Sequence, residues 1–266
     1  VWVGTAKGIN RGLLGENGCI NWEHFSFPED EISGNFVVGL ARQFWNNKNI
    51  IWAVTMNAED RREERGLSYT TNDGLSWETT LRGERIYNVT SSGSFVFAAS
   101  ENGLWKTIIE NPNDTPVWSL FKPVKQVSPI GDSPLFEVKE ILTNEVISVE
   151  YDDREDSQHV LWLGTLDGLA RSSDVHGLNW TIYQAEYDPT NVYAYPNPYS
   201  PYSHNVLDGY GYVRFHVDND KLASNAIELS VYNFAMETVF RTTYDRRAAE
   251  ESLKWDGKDQ KGQLVD

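Results

Sequence analysis

Four segments of the chain repeat one pattern of hydrophobic and polar positions. Each begins with an apolar strand that ends in a small residue and Ser or Thr, passes through a polar turn, and resumes at a glycine. A third strand is predicted to start near the tryptophan that closes the segment. The segments span residues 1–22, 51–77, 96–118 and 161–180. Short β-rich runs separated by turn residues indicate antiparallel sheets, so we predict an all-β protein.

The spacing of the closing tryptophans indicates one sheet per repeat. They stand at positions 22, 77, 118 and 180, which are 55, 41 and 62 residues apart. One blade of a β-propeller, a small four-stranded sheet, occupies roughly 40–50 residues. Innermost strands are predicted ahead of three of the segments, over residues 34–40, 86–90 and 145–150. The sequence therefore predicts a β-propeller with four visible blades and leaves the total number of blades open.

Motifs within these repeats resemble those of known propeller families. Residues 2–11 and 161–169 are similar to the two-component-regulator propeller repeat. Residues 70–77 resemble the Asp-box of sialidase-like propellers, with Asn72 in place of the Asp, and residues 172–180 are a looser copy. The resemblance implies a structural role, in which side-chain oxygens cap a tight turn and the tryptophan packs between sheets. The residues implied are Thr70, Asn72, Gly74, Trp77, Ser172, Asp174, Gly177 and Trp180.

The pattern changes after Trp180. Residues 187–191 are predicted to form a linker, and the proline-containing residues 192–201 suit an extended edge strand and a turn. Beyond them the alternation of apolar and polar residues has the period of two that is typical of strands. Four strands are predicted over residues 212–217, 226–234, 238–244 and 252–255, with a turn at residues 218–221.

This C-terminal part resembles the small Ig-like sandwich of the FlgD type. The matching stretches are residues 195–198, 231–237 and 255–259. In large bacterial surface proteins such modules accompany type IX secretion, so the resemblance implies export to the cell surface or the medium. We expect a structural turn, rather than a calcium site, at Trp255, Asp256 and Gly257.

The predicted organisation is a β-propeller over residues 1–187, followed by an Ig-like β-sandwich over residues 188–266. The sandwich is incomplete in this sequence, because the usual closing strand would follow Val265. Val1 lies within a predicted strand, without a preceding methionine. We therefore expect the chain to be a fragment of a longer polypeptide.

Charge and composition exclude several classes of partner. The formal net charge of −16 argues against nucleic acid and against anionic membrane surfaces, since both are bound by clustered Lys and Arg. No apolar run approaches the roughly 18 residues that a membrane-spanning helix needs. The single cysteine, Cys19, excludes an internal disulfide and a zinc cluster of several cysteines, and we expect its side chain to be buried.

Sequence motifs for catalysis are absent. The five histidines show no metal-ligand spacing, and the chain has no Gly-x-Ser-x-Gly elbow, phosphate-binding loop or dinucleotide-binding glycine set. We therefore predict no catalytic, cofactor-binding or metal-binding residue. The favoured hypothesis is a non-catalytic extracellular or cell-surface protein that binds a protein, a glycan or a second copy of itself. Two alternatives stay open: a secreted glycoside hydrolase of the sialidase-like type, and the periplasmic sensor of a two-component system.

Overall fold

The chain forms an all-β structure. The computed structural model describes residues 1–121, 125–154, 159–185, 192–217, 225–248 and 252–265, and over these residues it contains 22 strands and no helix. The strand pairs of these described residues are antiparallel, as the repeated hairpin pattern predicted. The predicted linker at residues 187–191, the domain boundary at 187/188 and the turn at 218–221 lie outside the described residues.

Four small sheets correspond to the four repeats. Sheet 1 has three strands, β1 (Trp2–Thr5), β2 (Gly8–Leu14) and β3 (Ile20–Phe25). Sheet 2 contains β4 (Phe36–Trp45), β5 (Lys48–Met56), β6 (Gly66–Thr70) and β7 (Glu78–Thr80), and sheet 3 contains β8 (Ile86–Ser92), β9 (Phe95–Ser100), β10 (Gly103–Ile108) and β11 (Ser119–Phe121). Sheet 4 contains β14 (Val146–Asp152), β15 (Val160–Thr165), β16 (Gly168–Ser172) and β17 (Trp180–Tyr183).

The remaining strands form three smaller sheets. A hairpin joins β12 (Lys125–Pro129) to β13 (Phe136–Glu140), and a second hairpin joins β20 (Ala226–Tyr232) to β21 (Thr238–Asp245). A three-stranded sheet has the order β18 (Tyr193–Tyr195), β19 (Val213–His216), β22 (Lys254–Trp255). The sequence patterns predicted the strands of residues 212–255 and missed the β12–β13 hairpin.

In three of the four repeats the glycine that opens the second strand has a positive φ angle, and Gly66 of the second repeat is the exception. Gly8, Gly103 and Gly168 have φ angles of 113°, 141° and 140°, a region that other residues rarely adopt. At Gly8 a Cβ atom would lie 2.2 Å from the carbonyl oxygen of Phe25. These glycines therefore let the chain turn tightly and let the next strand approach, which explains why the repeat pattern contains them.

The chain divides into two compact units. Unit 1 comprises Val1–Lys122, Glu145–Thr165 and Arg171–Gly177, and unit 2 comprises Pro123–Asn144, Leu166–Ala170 and Leu178–Asp266. Unit 1 has two apolar clusters, and the aromatic side chains Trp77 and Trp52 lie in the first and the second of them, respectively. Stacked sheet faces thus provide the core of unit 1.

The expectation that Cys19 is buried is wrong. Cys19 is exposed, because it lies in the turn between β2 and β3, outside the stacked faces. In that turn the amide of Cys19 donates to Oδ1 of Asn17 at 3.0 Å, and the amide of Gly15 donates to the carbonyl of Cys19 at 2.7 Å. These hydrogen bonds hold the turn in place, so the Cys19 side chain does not have to be buried for the turn to form.

Candidate functional site

The first Asp-box-like segment forms a compact hydrogen-bonded turn. Oγ1 of Thr70 accepts from the amide of Gly74 at 2.9 Å and donates to Oδ1 of Asn72 at 2.9 Å. The same Oδ1 of Asn72 accepts from the amide of Ser76 at 3.0 Å. Trp77 is 2% exposed and lies 5.7 Å, centroid to centroid, from the ring of Phe25. Hydrogen bonds within the turn therefore engage Thr70 and Asn72, while the Asn72 side chain stays exposed and the Trp77 ring packs in the core.

The second copy makes a similar but looser turn. Oγ of Ser172 accepts from the amide of Asp174 at 3.2 Å, and Oδ1 of Asp174 accepts from the amide of His176 at 2.9 Å. Gly177 has a φ angle of 67° and donates its amide to the carbonyl of Asp174 at 3.1 Å. Trp180 is buried at the start of β17.

The predicted turn after β22 is also closed by internal bonds. Nε1 of Trp255 donates to the carbonyl of Lys258 at 2.7 Å, and Oδ1 of Asp256 accepts from the amide of Lys258 at 3.2 Å. The other carboxylate oxygen of Asp256 pairs with the ammonium of Lys258 at 3.0 Å. Gly257 has a φ angle of 77°, which suits glycine at this turn position.

A loop for which the sequence analysis predicted no site combines an ordered backbone with exposed apolar side chains. It comprises residues 233–237 between β20 and β21, and we call it the hairpin loop. Oδ1 of Asn233 accepts from the amides of Ala235 at 2.9 Å and Glu237 at 3.0 Å. Its Nδ2 donates to the Glu237 carboxylate at 2.9 Å, and the amide of Met236 donates to the carbonyl of Asn233 at 3.0 Å. One asparagine side chain therefore orders the whole loop.

The hairpin loop presents apolar side chains to solvent. Phe234 is fully exposed, Met236 is largely exposed, and Tyr232 at the end of β20 is half exposed. Met236 has a φ angle of 64°, which fixes the backbone beside Phe234 in a left-handed conformation. An Asn followed four residues later by Glu, with apolar residues between, is the sequence signal that could have revealed this loop.

Unit 2 also contains a network of charged side chains in which the carboxylates are buried and the basic groups are partly exposed. The guanidinium of Arg214 binds both carboxylate oxygens of Asp167, at 2.9 and 2.6 Å, and Asp167 also accepts from the amide of Leu142 at 2.6 Å. The Glu140 carboxylate accepts from Lys254 at 2.7 Å and from Ser252 at 2.8 Å. Burial raises the pKa of the Asp167 carboxyl, and the charge of Arg214 opposes that shift. Because each carboxylate accepts hydrogen bonds from a basic side chain and from a second group, the network compensates the charges that the fold buries.

A cleft of about 410 Å³ lies beside β1 in unit 1. Both apolar and polar residues line it, including Trp2, Leu40, Ala41, Arg42, Ile51 and Asp73. The guanidinium of Arg11 donates to the Asp73 carbonyl at 2.8 Å, so a contact within the protein holds one of the lining residues.

The described residues show neither a metal-ligand cluster nor a membrane-spanning helix. Among the described residues, no three or more His, Cys, Asp or Glu side chains lie where they could hold a metal ion together. The described part of the chain also has no helix with the length and hydrophobicity that a bilayer crossing requires.

Comparisons with known proteins give a limited result. No family model matches the chain, and no curated protein matches it. Among solved structures, it is similar to PorZ of Porphyromonas gingivalis, described as an essential bacterial surface component of the type-IX secretion system, with a TM-score of 0.46 and 14% identity. The match covers 100% of this chain, which spans 40% of the length of that structure. A likeness of this size does not assign the chain to a family.

Proposed function

We propose that this chain is a non-catalytic binding or structural part of a bacterial extracellular or cell-surface protein. In this proposal residues 1–187 form a β-propeller that serves as an interaction platform. Residues 188–266 form an Ig-like module that acts in export or anchoring. The observation that supports a binding role is the hairpin loop, in which Phe234 is fully exposed on an ordered backbone.

An ordered loop with an exposed aromatic ring suits protein recognition. The hydrogen bonds of Asn233 fix the loop before any partner arrives, so binding loses little conformational entropy. A phenylalanine ring gains about 1.5–3 kcal/mol when it moves from water into an apolar environment. We therefore propose that Phe234 inserts into an apolar pocket of a protein partner at the cell surface.

Surface display of the full-length protein in its bacterium tests this role. We expect Phe234→Ala to lower the fraction of protein that a membrane-impermeant biotin reagent labels on intact cells by at least threefold. Asn233→Ala should act in the same direction, because it removes the bonds that order the loop. Tyr202→Ala is the matched control, since Tyr202 is also an exposed aromatic residue of unit 2.

Thermal unfolding of the purified variants separates recognition from folding. Phe234 contacts solvent, so its replacement should leave the melting temperature unchanged within about 1 °C, in line with the small effects of surface substitutions. Unaltered surface labelling of Phe234→Ala would contradict the role of the loop.

The non-catalytic part of the proposal has its own test. We expect no hydrolysis of a panel of nitrophenyl glycosides and sialosides, with or without added divalent metal. Turnover that disappears on replacing a single Asp or Glu would show a glycoside hydrolase instead.

A further inference from the structure

Val1, Val3 and Trp22 lie on one face of sheet 1, which we call the open face. Val1 and Val3 are two residues apart on a strand, so they point to the same side. Val1 exchanges backbone hydrogen bonds with Gly12, at 3.0 and 2.7 Å, and Gly12 pairs with Trp22. The side chains of Val1, Val3 and Trp22 are 75%, 39% and 54% exposed.

Gly12 allows Trp22 to lie close to the sheet. A Cβ atom at Gly12 would be 3.0 Å from Cζ3 of the Trp22 ring. Ile20, also on β3 and two residues from Trp22, belongs to the same face and is likewise exposed. Val3 pairs with Asn10 and Asn10 with His24, so these two polar side chains lie on the same face and bond each other at 3.0 Å. Sheet 1 therefore has exposed apolar side chains, beside one polar pair, on a face that is left open among the described residues.

The register identifies the counterparts of these residues in the next two sheets. The pairs that flank the turn are Thr5 with Gly8 in sheet 1, Thr55 with Gly66 in sheet 2 and Ser100 with Gly103 in sheet 3. Val3 and Val1 precede Thr5 by two and four residues. The residues at the same distances before Thr55 in sheet 2 are Ala53 and Ile51, and those before Ser100 in sheet 3 are Ala98 and Val96. All four of these counterparts are at most 3% exposed.

The tryptophans correspond in the same way. Trp22 pairs with the residue four positions after the glycine that opens β2. If the pairing of β6 with β7 and of β10 with β11 is continued by one residue, Trp77 lies opposite Thr70 and Trp118 opposite Thr107. Both threonines are four positions after the glycine that opens their strand. Unlike Trp22, Trp77 is fully buried, and Trp118 packs against an apolar cluster.

In each case the sheet that comes earlier in the sequence covers this face. Trp77 of sheet 2 contacts Trp2 of sheet 1, with ring centroids 5.9 Å apart, and shares a cluster with Ile9 and Phe25 of sheet 1. Trp118 of sheet 3 contacts Trp52 of sheet 2, with ring centroids 6.1 Å apart. The open face is therefore the same type of surface as two faces that are covered within the molecule.

The edge of β1 points to the same conclusion. In sheets 2 and 3 the strand that corresponds to β1 pairs with an innermost strand, β4 or β8, on its other side. In the described residues β1 pairs with β2 alone. The edge and the face of sheet 1 thus match the edges and faces that, in sheets 2 and 3, contact another strand or another sheet.

We infer that a further antiparallel sheet of the same repeat, supplied by the same polypeptide ahead of Val1, packs on the open face. Its facing side chains would be aromatic and aliphatic, as Trp2, Ile9 and Phe25 are where sheet 1 covers Trp77. A strand ahead of Val1 would pair with the free edge of β1, as β4 pairs with β5. This inference is independent of the proposed role of the hairpin loop.

Hydroxyl-radical footprinting of the full-length protein tests the inference without any substitution. We expect Trp22 to be oxidised at a rate within twofold of that of buried Trp77, and at least fivefold more slowly than exposed Tyr202. Oxidation of Trp22 as fast as that of Tyr202 would overturn the inference. Protection that disappears on fiftyfold dilution would also overturn it, because the cover would then belong to a second molecule.

A substitution gives a second readout. In the full-length protein Trp22→Ala should lower the melting temperature at least half as much as Trp77→Ala does. Leu75→Ala, which alters an exposed apolar residue beside the first Asp-box-like turn, should leave the melting temperature within 1 °C of the unaltered protein. A Trp22→Ala variant that melts like Leu75→Ala would contradict the inference.

Discussion

The two units differ in the polar chemistry that their interiors contain. Unit 1 is built from sheet faces whose buried side chains are apolar and aromatic, such as Trp52 and Trp77. Unit 2 also buries apolar side chains, such as Ile141 and Leu142. It differs in enclosing an ion network in which Arg214 binds Asp167, and Lys254 binds Glu140. The apolar faces recur with each repeat, whereas the partners of these ion pairs are 47 and 114 residues apart. A repeated core can therefore be recognised in a sequence, and a network of distant charges cannot.

The difference also changes how each unit should respond to substitution. Removing a buried ring leaves a cavity, and its cost depends on how far the neighbours can collapse. Removing one member of a buried ion pair leaves the other charge without compensation in a poorly solvated place. Replacing both members can restore part of the stability, which has no equivalent for a single buried ring.

The largest expected effect lies in the apolar core of unit 1. Trp77→Ala should lower the free energy of unfolding by about 3–5 kcal/mol, because the ring is fully buried between sheets 1 and 2. Urea denaturation followed by fluorescence measures it, with Leu75→Ala as the control. A loss below about 1 kcal/mol, far under the usual range for a buried aromatic, would mean that the ring does not hold these sheets together.

The ion network of unit 2 should give the next largest effect. Arg214→Met should cost about 3 kcal/mol, the low end for a broken buried pair, because the Arg214 side chain keeps 15% of its surface exposed. Combining it with Asp167→Asn should cost less than the sum of the two single substitutions. Additive losses in this double-mutant cycle would show that the two side chains are not coupled.

A smaller effect is expected at the first Asp-box-like turn. Thr70→Val keeps the shape of the side chain and removes its hydrogen bonds to Gly74 and Asn72, so it should cost about 1–2 kcal/mol. Asn72→Asp is the control, since it keeps an acceptor for the amide of Ser76. Equal losses in the two variants would place the important contact elsewhere in the turn.

The smallest effect concerns a polar contact within unit 1. Burial raises the pKa of Tyr87 to about 12, and its hydroxyl also donates to the carboxylate of Glu145. An unfolded tyrosine ionises near pH 10, so from about that pH to 12 the unfolded state loses its proton first and stability falls as pH rises. Tyr87→Phe should make this alkaline decline shallower in urea titrations, and Tyr202→Phe should not. An unchanged slope for Tyr87→Phe would mean that the folded protein does not hold this proton.

The sequence predicted the repeated hairpins because their turns require particular residues. The β9–β10 turn combines Ser100 with a glycine of positive φ, so the local sequence was enough to predict where this turn lies. The strand predicted over residues 34–40 is β4, which continues to Trp45 because Asn46 and Asn47 form a tight turn with φ angles of 51° and 60°. Local chemistry was sufficient for these elements.

The missed elements depend on distant contacts. The β12–β13 hairpin includes Glu140, whose carboxylate is bonded by Ser252 and Lys254 more than a hundred residues later. In the hairpin loop, the prediction continued β20 through Phe234, whereas Asn233 ends the strand by bonding the amides that follow it. Side-chain competition for backbone amides decides such ends, and the apolar pattern does not show it.

The exposed thiol of Cys19 provides a useful reporter. It is the single cysteine of this sequence and stands next to Ile20, at the end of the open face. A maleimide dye would therefore attach at one known position of this sequence, three residues before Trp22. In an oxidising medium the same thiol can link two molecules covalently, so preparations made without reductant should contain disulfide-bonded pairs that dithiothreitol separates.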